Sequence, residues 1–278
     1  MKNWGFTLNN VTASWSENDN TILEKINFDF DIHDANTAAL PLMGPSGQGK
    51  STLLYLLAAL KLPSEGTVTW RFPNDTQKTY SFSKEMADKK NMADIIELRR
   101  DYFGFAFQSS TLSEYLTVKE NIAYPLLLQG KSWDEALDIA EARFDQMMLA
   151  ESDEKKQRLL NVFPSQLSGG ERQRAALVQA IIHDPYVLFA DEPTGQLDLY
   201  TRKQVMKVLK QWVVKGKGQR CLIWVTHHHI NDLKMMGVNN LLFIEGKNGI
   251  LRDHQWLENW VNQISENNND SVAKISMA

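Results

Sequence analysis

Apolar and polar residues alternate from Thr7 to Thr12 and again from Lys25 to Ile32, the period of half-buried strands, and the polar run Ser16 to Asn20 between them predicts a turn. A small edge sheet is expected there. Thr37 to Met43 is a short apolar run ending in a glycine-rich turn, and Lys50 to Leu60 continues with apolar residues at most positions, as a packed helix does. Pro41 falls inside the first of these, and because proline has no ladder donor a local irregularity is expected. Ser64 to Trp70 predicts another strand, whereas residues 71–93 are mostly polar or charged without a sustained period and predict an exposed insertion. Helical spacing returns over Val118 to Leu128 and Trp133 to Leu149, with Gly130 as the break and Ser132 as N-cap of the second helix, so a helical subdomain is expected over about residues 109–170. Tyr186 to Ala190 and Cys221 to Thr226 are compact apolar runs between polar residues, the mark of buried parallel strands; with Thr37 to Met43 they predict a parallel α/β core. Residues 262–278 are polar and asparagine-rich, too poor in apolar surface to order themselves, and are expected to form a disordered tail behind one domain over residues 1–261.

Thirty basic against 34 acidic side chains leave a formal charge of −4 over 278 residues, so no global positive field exists to hold nucleic acid or an anionic membrane. No nucleic-acid partner is expected. The single cysteine, Cys221, excludes a disulfide framework and a cysteine-rich zinc site and suits a reducing compartment. Met1 to Trp15 lacks the uninterrupted apolar stretch of a secretory signal, and the longest apolar runs, such as Leu53 to Leu60, are about half the roughly 20 residues that a spanning helix needs. No direct membrane insertion is expected, and any membrane role is borrowed from a partner.

Chemistry concentrates in a few motifs. Gly44-Pro45-Ser46-Gly47-Gln48-Gly49-Lys50-Ser51 is an intact G-x-x-x-x-G-K-[ST] loop between a predicted strand and helix. Its glycines, Gly44, Gly47 and Gly49, let successive backbone N–H groups turn toward phosphates, and the helix N-terminus opening at Lys50, Ser51 and Thr52 adds partial positive charge. Lys50 is expected to reach the β- and γ-phosphates, and the Ser51 hydroxyl to ligate Mg²⁺. Tyr186 to Ala190 ends in two carboxylates, Asp191 and Glu192. At the carboxyl end of a parallel strand, Asp191 is a Mg²⁺ candidate, and Glu192 is placed to polarise an attacking water as general base. Leu167-Ser168-Gly169-Gly170-Glu171 precedes a helical stretch from Glu171 to Ile182 and makes a second helix terminus suited to anions.

With these three motifs the sequence resembles the ABC-type ATPases, whose signature reads LSGGQ or, as here, LSGGE. The resemblance implies an α/β fold: a P-loop NTPase core with a parallel sheet, an antiparallel β subdomain and an inserted α-helical subdomain. It implies ATP and Mg²⁺ as cofactors and a homodimer of ATPase subunits paired head to tail, in which Ser168, Gly169 and Gly170 of one copy close over the nucleotide on the P-loop, Ser46 included, of the other. Further positions match in family order. Phe107-Gln108 matches the glutamine loop, so Gln108 is expected to contact Mg²⁺ and water and to couple the nucleotide to the membrane partner. Gly195-Gln196-Leu197-Asp198 resembles the loop that crosses the dimer interface and brings Asp198 to the nucleotide; His227 matches the switch histidine of the γ-phosphate. Three consecutive histidines, His227 to His229, also invite a metal reading, but strand neighbours point to opposite faces and make a poor chelating set. Trp15 falls where the family stacks an aromatic on adenine; a tryptophan there also reads as a core or surface residue.

The resemblance runs from about Lys2 to Leu251, with departures at Val178-Gln179-Ala180, where Ala-Arg-Ala is common, at His228, where an acid is usual, and in the length of residues 71–93. Asn121 to Leu128 and Ala190 to Asp198 are most similar to the lipoprotein-release, macrolide-efflux and cell-division type of bacterial ABC ATPase. That implies an ATP-hydrolysing subunit that drives extrusion or mechanotransmission through transmembrane permease subunits, on the cytoplasmic face of the cell membrane. The alternative is an ATPase of a mechanical signalling complex that regulates a cell-wall enzyme and moves no substrate.

Overall fold

The alternation near the N-terminus becomes a hairpin of β1 (Trp4–Ala13) and β2 (Leu23–Ile32), paired antiparallel with Phe6 opposite Phe30. The computed structural model describes residues 4–15, 20–32, 38–73, 75–87, 92–107, 111–148, 151–195, 197–226, 230–238, 240–253, 255, 256 and 259. Along β1 the buried set shifts phase, from Phe6 and Leu8 to Val11 and Ala13, because a bulge intervenes. Asn10 absorbs the extra residue at φ 52°, and its amide donates to Asn27 Oδ1 at 3.0 Å.

Next come β3 (Ala39–Met43) and α1 (Lys50–Leu57), then β4 (Glu65–Phe72) and β5 (Asp75–Phe82). The order β2-β1-β4-β5 makes an antiparallel sheet. Here residues 71–93 depart from the expected exposed insertion. Much of the segment is β5, which pairs with β4 and buries Tyr80 and Phe82 beside Phe72. The charges of this stretch stay at the rim, where Lys78 pairs with Glu97 at 2.8 Å and Tyr80 Oη donates to the same carboxylate at 2.5 Å. Glu97 closes the short α2 (Met92–Glu97), which leads into β6 (Phe103–Ala106).

The helices α3 (Val118–Leu128), α4 (Trp133–Met147), α5 (Asp153–Leu160) and α6 (Gly169–Ile181) each start on a Ser or Thr N-cap: Thr117, Ser132, Ser152 and Ser168. They enclose a hydrophobic cluster of their own, built on Val118, Ile122, Phe144, Leu160 and Ala176. Gly130, at φ 86°, makes the turn between α3 and α4. Buried Asn121 on α3 accepts from Ser113 N at 2.7 Å and donates to the carbonyls of Ser113 and Leu116 at 2.9 Å. That pins the segment leading into the helix.

The chain then completes the second sheet with β7 (Val187–Asp191), α7 (Leu199–Lys215), β8 (Cys221–Val225), α8 (Ile230–Met236), β9 (Asn240–Glu245) and β10 (Asn248–Asp253). Its order is β10-β9-β3-β8-β7-β6, parallel throughout except for the β9–β10 hairpin. Pro41 sits in this central sheet opposite Trp224 of β8, and the ladder to β9 on its other side begins only at Leu42. The missing donor therefore falls where β3 has no paired strand on that flank. Cys221 is buried in β8, and burial pushes its thiol pKa up, which leaves it a packing residue.

The two sheets meet through aromatic rings. Trp70 of β4 lies 5.0 Å from Phe6 in its own sheet and 5.3 and 6.0 Å from Phe103 and Phe189 in the other, ring centre to ring centre. Its indole N–H donates to Leu57 O, at the last turn of α1, at 2.9 Å. One side chain thus fixes the antiparallel sheet, the parallel sheet and the helix that leaves the glycine loop. Among the described residues no helix is long and apolar enough to cross a membrane.

His183, just beyond α6, bonds Phe103 O through Nε2 at 2.9 Å. Burial holds its imidazole pKa below the ordinary 6.5, against the opposing pull of that carbonyl. Above the ordinary value the ring is neutral both folded and unfolded and adds no pH dependence. As pH falls below it, the unfolded chain takes up a proton that the folded chain refuses, so stability drops until the depressed folded value is reached. Thermal unfolding from pH 7.5 to pH 5 is expected to show a shallower loss of Tm in His183→Gln than in the unaltered chain. Equal slopes would contradict this.

Candidate functional site

The carboxyl ends of the parallel strands line up. Leu42 of β3 stands opposite Val225 of β8, and Val225 opposite Asp191 of β7, so the loops after β3, β7 and β8 leave the sheet side by side. Glu192 N donates to Val225 O and Thr226 N to Leu42 O, both at 3.2 Å, which carries the alignment past the strand ends. In open α/β sheets this crevice is where ligands bind.

The loop after β3 depends on glycine at two points. Gly44 has φ 133°, and a Cβ there would lie 2.1 Å from Ile244 O of β9. Gly49 has φ 91°, and its Cβ would lie 2.8 Å from Ile22 Cγ2. Between them the backbone turns onto the N-terminus of α1, where free N–H groups and the helix dipole favour an anion. Lys50 is buried, and its Nζ donates to the carbonyls of Gly44 at 3.0 Å and Pro45 at 2.7 Å, inside the curve of the loop. Burial lowers the pKa of this ammonium, and Glu192 and Asp191 oppose the shift by attraction.

Ser51 Oγ donates to Asp191 Oδ1 at 3.2 Å. A hydroxyl and a carboxylate in contact are hard oxygen donors, the type Mg²⁺ prefers. An open cleft of about 340 Å³ spreads in front of them, lined by Trp15, Ile22, Ser46, Gly47, Gly49, Lys50, Ser51, Thr52 and Glu192. The structure therefore brings together most of the residues expected at the phosphates, the expected general base and the expected adenine platform. Trp15 is 56% exposed, with Lys61 Nζ 4.8 Å from its ring centre, so one face of the indole is open to a flat partner. Glu192 adopts φ 49°, a left-handed conformation for a non-glycine residue, and such strain collects at functional sites. Behind it, buried Thr194 donates to Asp232 Oδ2 of α8 at 3.0 Å and anchors the turn.

Ser168, Gly169, Gly170 and Asp198 do not line this cleft. They sit at the starts of α6 and α7, which touch: a Cβ on Gly170 would meet Thr201 Cγ2 at 2.6 Å. Ser168 forms a capping box with Glu171, whose Oε2 accepts from Ser168 N at 3.0 Å and Oγ at 2.8 Å. Burial alone would raise the Glu171 pKa, but these bonds and Lys155 at 3.4 Å hold it below the ordinary value. Asp198 caps α7 by accepting from Tyr200 N at 2.9 Å and Thr201 N at 3.1 Å, bonds that lower its carboxyl pKa, with the Thr201 side chain contributing most. Leu199 and Tyr200 beside it are each 70% exposed, apolar surface with no cover in the single chain. Gln108 and His227 lie outside the described residues. Their neighbours Phe107 and Thr226 end at this same row of strands.

Two features of the site escaped the motif reading. Ile22 lines the cleft, in a segment read only as following a turn. Tyr55 donates to Asp191 Oδ2 at 3.3 Å; its position four residues after Ser51, on the same face of α1, is the signal that would have found it. Gln179, one of the departures on the signature helix, accepts from Thr111 Oγ1 at 2.8 Å and donates to Asn121 O at 2.9 Å. It therefore ties α6 to the segment beyond Gln108.

Comparison with known proteins agrees with this geometry. The family model for ABC transporters matches residues 26–195. A lipoprotein-releasing system ATP-binding protein, LolD, of Wigglesworthia glossinidia brevipalpis is 36% identical over 219 residues, 79% of this chain and 86% of that protein. An uncharacterized ABC transporter ATP-binding protein of Methanocaldococcus jannaschii, MJ0796, is 32% identical over 220 residues, with the same shares of each chain. A solved dimeric structure of the MJ0796 cassette in a post-hydrolysis state, bound to ADP and Pi, superposes with a TM-score of 0.71 at 27% identity, covering 90% of this chain and 98% of that one. The chain belongs to the ABC transporter family, as an ATP-binding subunit that uses Mg²⁺ and hydrolyses ATP.

Proposed function

We propose that this subunit powers a transporter of the lipoprotein-release type, docked on the cytoplasmic face of transmembrane permease subunits, and that two copies pair head to tail to complete two nucleotide sites. The observation that carries the site assignment is the Ser51–Asp191 hydrogen bond at 3.2 Å in the row of strand ends that also holds Lys50 and Glu192. The transporter type is supported by the similarity to LolD, and by the absence of a spanning helix among the described residues, which leaves membrane work to a partner. Head-to-tail pairing is supported by the uncovered Leu199 and Tyr200 next to the signature helix, and by the dimeric cassette of MJ0796.

In this reading Trp15 stacks on adenine, the loop from Gly44 to Gly49 wraps the phosphates with backbone N–H groups, and Thr52 adds its amide at the helix start. Lys50 exchanges its carbonyl partners at Gly44 and Pro45 for phosphate oxygens, a charge-assisted contact stronger than the one it leaves. Ser51, Asp191 and Gln108 would hold Mg²⁺, which when bound would neutralise charge on the transferring phosphoryl group. Glu192 accepts the proton of the water that attacks the γ-phosphorus; the bond to the bridging oxygen breaks, and that oxygen leaves with ADP. His227 contacts the γ-phosphate, and Ser168, Gly169, Gly170 and Asp198 of the second copy close the other side. Because Glu192 and Lys50 line one cleft yet do different work, their substitutions separate the steps.

Glu192→Gln is expected to lower steady-state ATPase turnover by about a hundredfold or more, the contribution of a positioned base, while ATP affinity stays near that of the unaltered chain. Near-normal hydrolysis would remove Glu192 from the base role. Lys50→Ala is expected to weaken ATP binding itself by about ten- to a hundredfold, since charge-assisted hydrogen bonds contribute roughly 1.5–3 kcal/mol. Calorimetric titration reads this directly, and unchanged affinity would reject the phosphate contact.

A further inference from the structure

We propose that Tyr55 is a positioning residue for the metal-holding carboxylate: its hydroxyl, with that of Ser51, locks the plane of Asp191. This rests on the reading of Asp191 as a metal-holding group given above. Asp191 presents two oxygens toward α1, and each meets a hydroxyl, Oδ1 that of Ser51 at 3.2 Å and Oδ2 that of Tyr55 at 3.3 Å. The two donors are one helical turn apart on α1, so the helix fixes the spacing of their backbones, and ring packing fixes the Tyr55 hydroxyl. Rotating the carboxylate about its Cβ–Cγ bond breaks at least one of these bonds. A hydroxyl that also serves a cation keeps its lone pairs for it while donating its proton, which leaves Ser51 compatible with both partners; Tyr55 supplies the second restraint.

The Tyr55 ring is itself held on two sides. It packs edge-on against Trp15 at 6.2 Å and against Phe107 at 5.9 Å, ring centre to ring centre. Trp15 lines the cleft, and Phe107 directly precedes Gln108, which is proposed with Ser51 and Asp191 to contact the metal. Phe107 in turn stacks on Phe105 at 5.9 Å, and Phe105 on Phe189 of β7 at 6.1 Å, so the wedge is continuous with the sheet core. Tyr55 is thereby the one described side chain shown to touch the proposed adenine platform, the metal carboxylate and the start of the glutamine loop. Outer partners that orient a ligand in this way tune metal affinity and leave the ligand set intact.

The test compares the unaltered chain, Tyr55→Phe and Asp191→Asn. Tyr55→Phe deletes only the hydroxyl and keeps the ring contacts, so folding is preserved. Binding of Mn²⁺ in the presence of ADP, followed by electron paramagnetic resonance, is expected to weaken about tenfold in Tyr55→Phe, at the lower end for an outer-shell partner because the bond is long. The Mg²⁺ concentration for half-maximal ATPase should rise by a similar factor, with metal-free ATP binding unchanged. Asp191→Asn should weaken Mn²⁺ more strongly. If Asp191→Asn weakens Mn²⁺ binding and Tyr55→Phe does not, the positioning role is overturned and the site assignment stands. If neither changes it, both fall. Loss of metal-free ATP binding in Tyr55→Phe would also overturn the proposal, because it marks a general packing role.

Discussion

Ser51 and Asp191 are 140 residues apart in the chain and meet at 3.2 Å because β3 and β7 flank β8 with their carboxyl ends in one row. That contact joins the glycine loop, proposed to cradle phosphate, to the strand end that carries the carboxylates. Everything else in the architecture serves it. If β7 slipped by one residue against β8, Asp191 would turn to the opposite face of the sheet and Glu192 would leave the cleft. All but the last residue of β7 are buried, on both faces of the strand, so a slip would put each side chain into a space shaped for another, and misfitted core packing costs about 1–3 kcal/mol.

The direction of α1 is the second constraint, because it aims both the Lys50 ammonium and the Ser51 hydroxyl. The glycine loop fixes where the helix begins, and Trp70 fixes where it ends by donating to Leu57 O. Through Trp70 the antiparallel sheet therefore holds the C-terminal end of the helix whose N-terminal residues line the cleft. The helical cluster around Phe144 and Leu160 is distinct from that core but joined to it along α6, whose Leu177, Ala180 and Ile181 belong to the core and whose Ala176 and Val178 belong to the cluster. It carries the signature turn at Ser168 and is linked to the segment beyond Gln108 by Gln179.

Sequence alone was most informative where backbone geometry leaves little choice of residue. The glycine loop, the apolar run ending in Asp191 and Glu192, and the capped start at Ser168 can each be placed in the fold from composition, and the parallel core follows from three apolar runs. Residues 71–93 were misread for a physical reason. Thr79-Tyr80-Ser81-Phe82 does alternate, but the charges after Phe82 hide the strand, and so does Lys78, which lies over the buried Tyr80 ring and pairs with Glu97 and Asp94 at the rim. The β9–β10 hairpin carried no motif and was not anticipated; Ile244 nonetheless helps dictate that residue 44 be glycine. Tyr55 was hidden for the opposite reason, because a tyrosine on an apolar helix reads as packing until its hydroxyl is seen on Asp191.

The central claim is that this chain holds half of a nucleotide site whose other half is the signature turn of a second copy. Sedimentation velocity of Glu192→Gln, with and without Mg²⁺ and ATP, tests it most directly, because ATP then persists and the closed pair accumulates. A monomer is expected without nucleotide and a dimer with Mg²⁺ and ATP, the dimer abolished by Gly169→Trp, a position where an added Cβ meets nothing within 4 Å in the single chain. A sedimentation profile that ignores ATP, or a dimer that survives Gly169→Trp, would contradict the head-to-tail pairing.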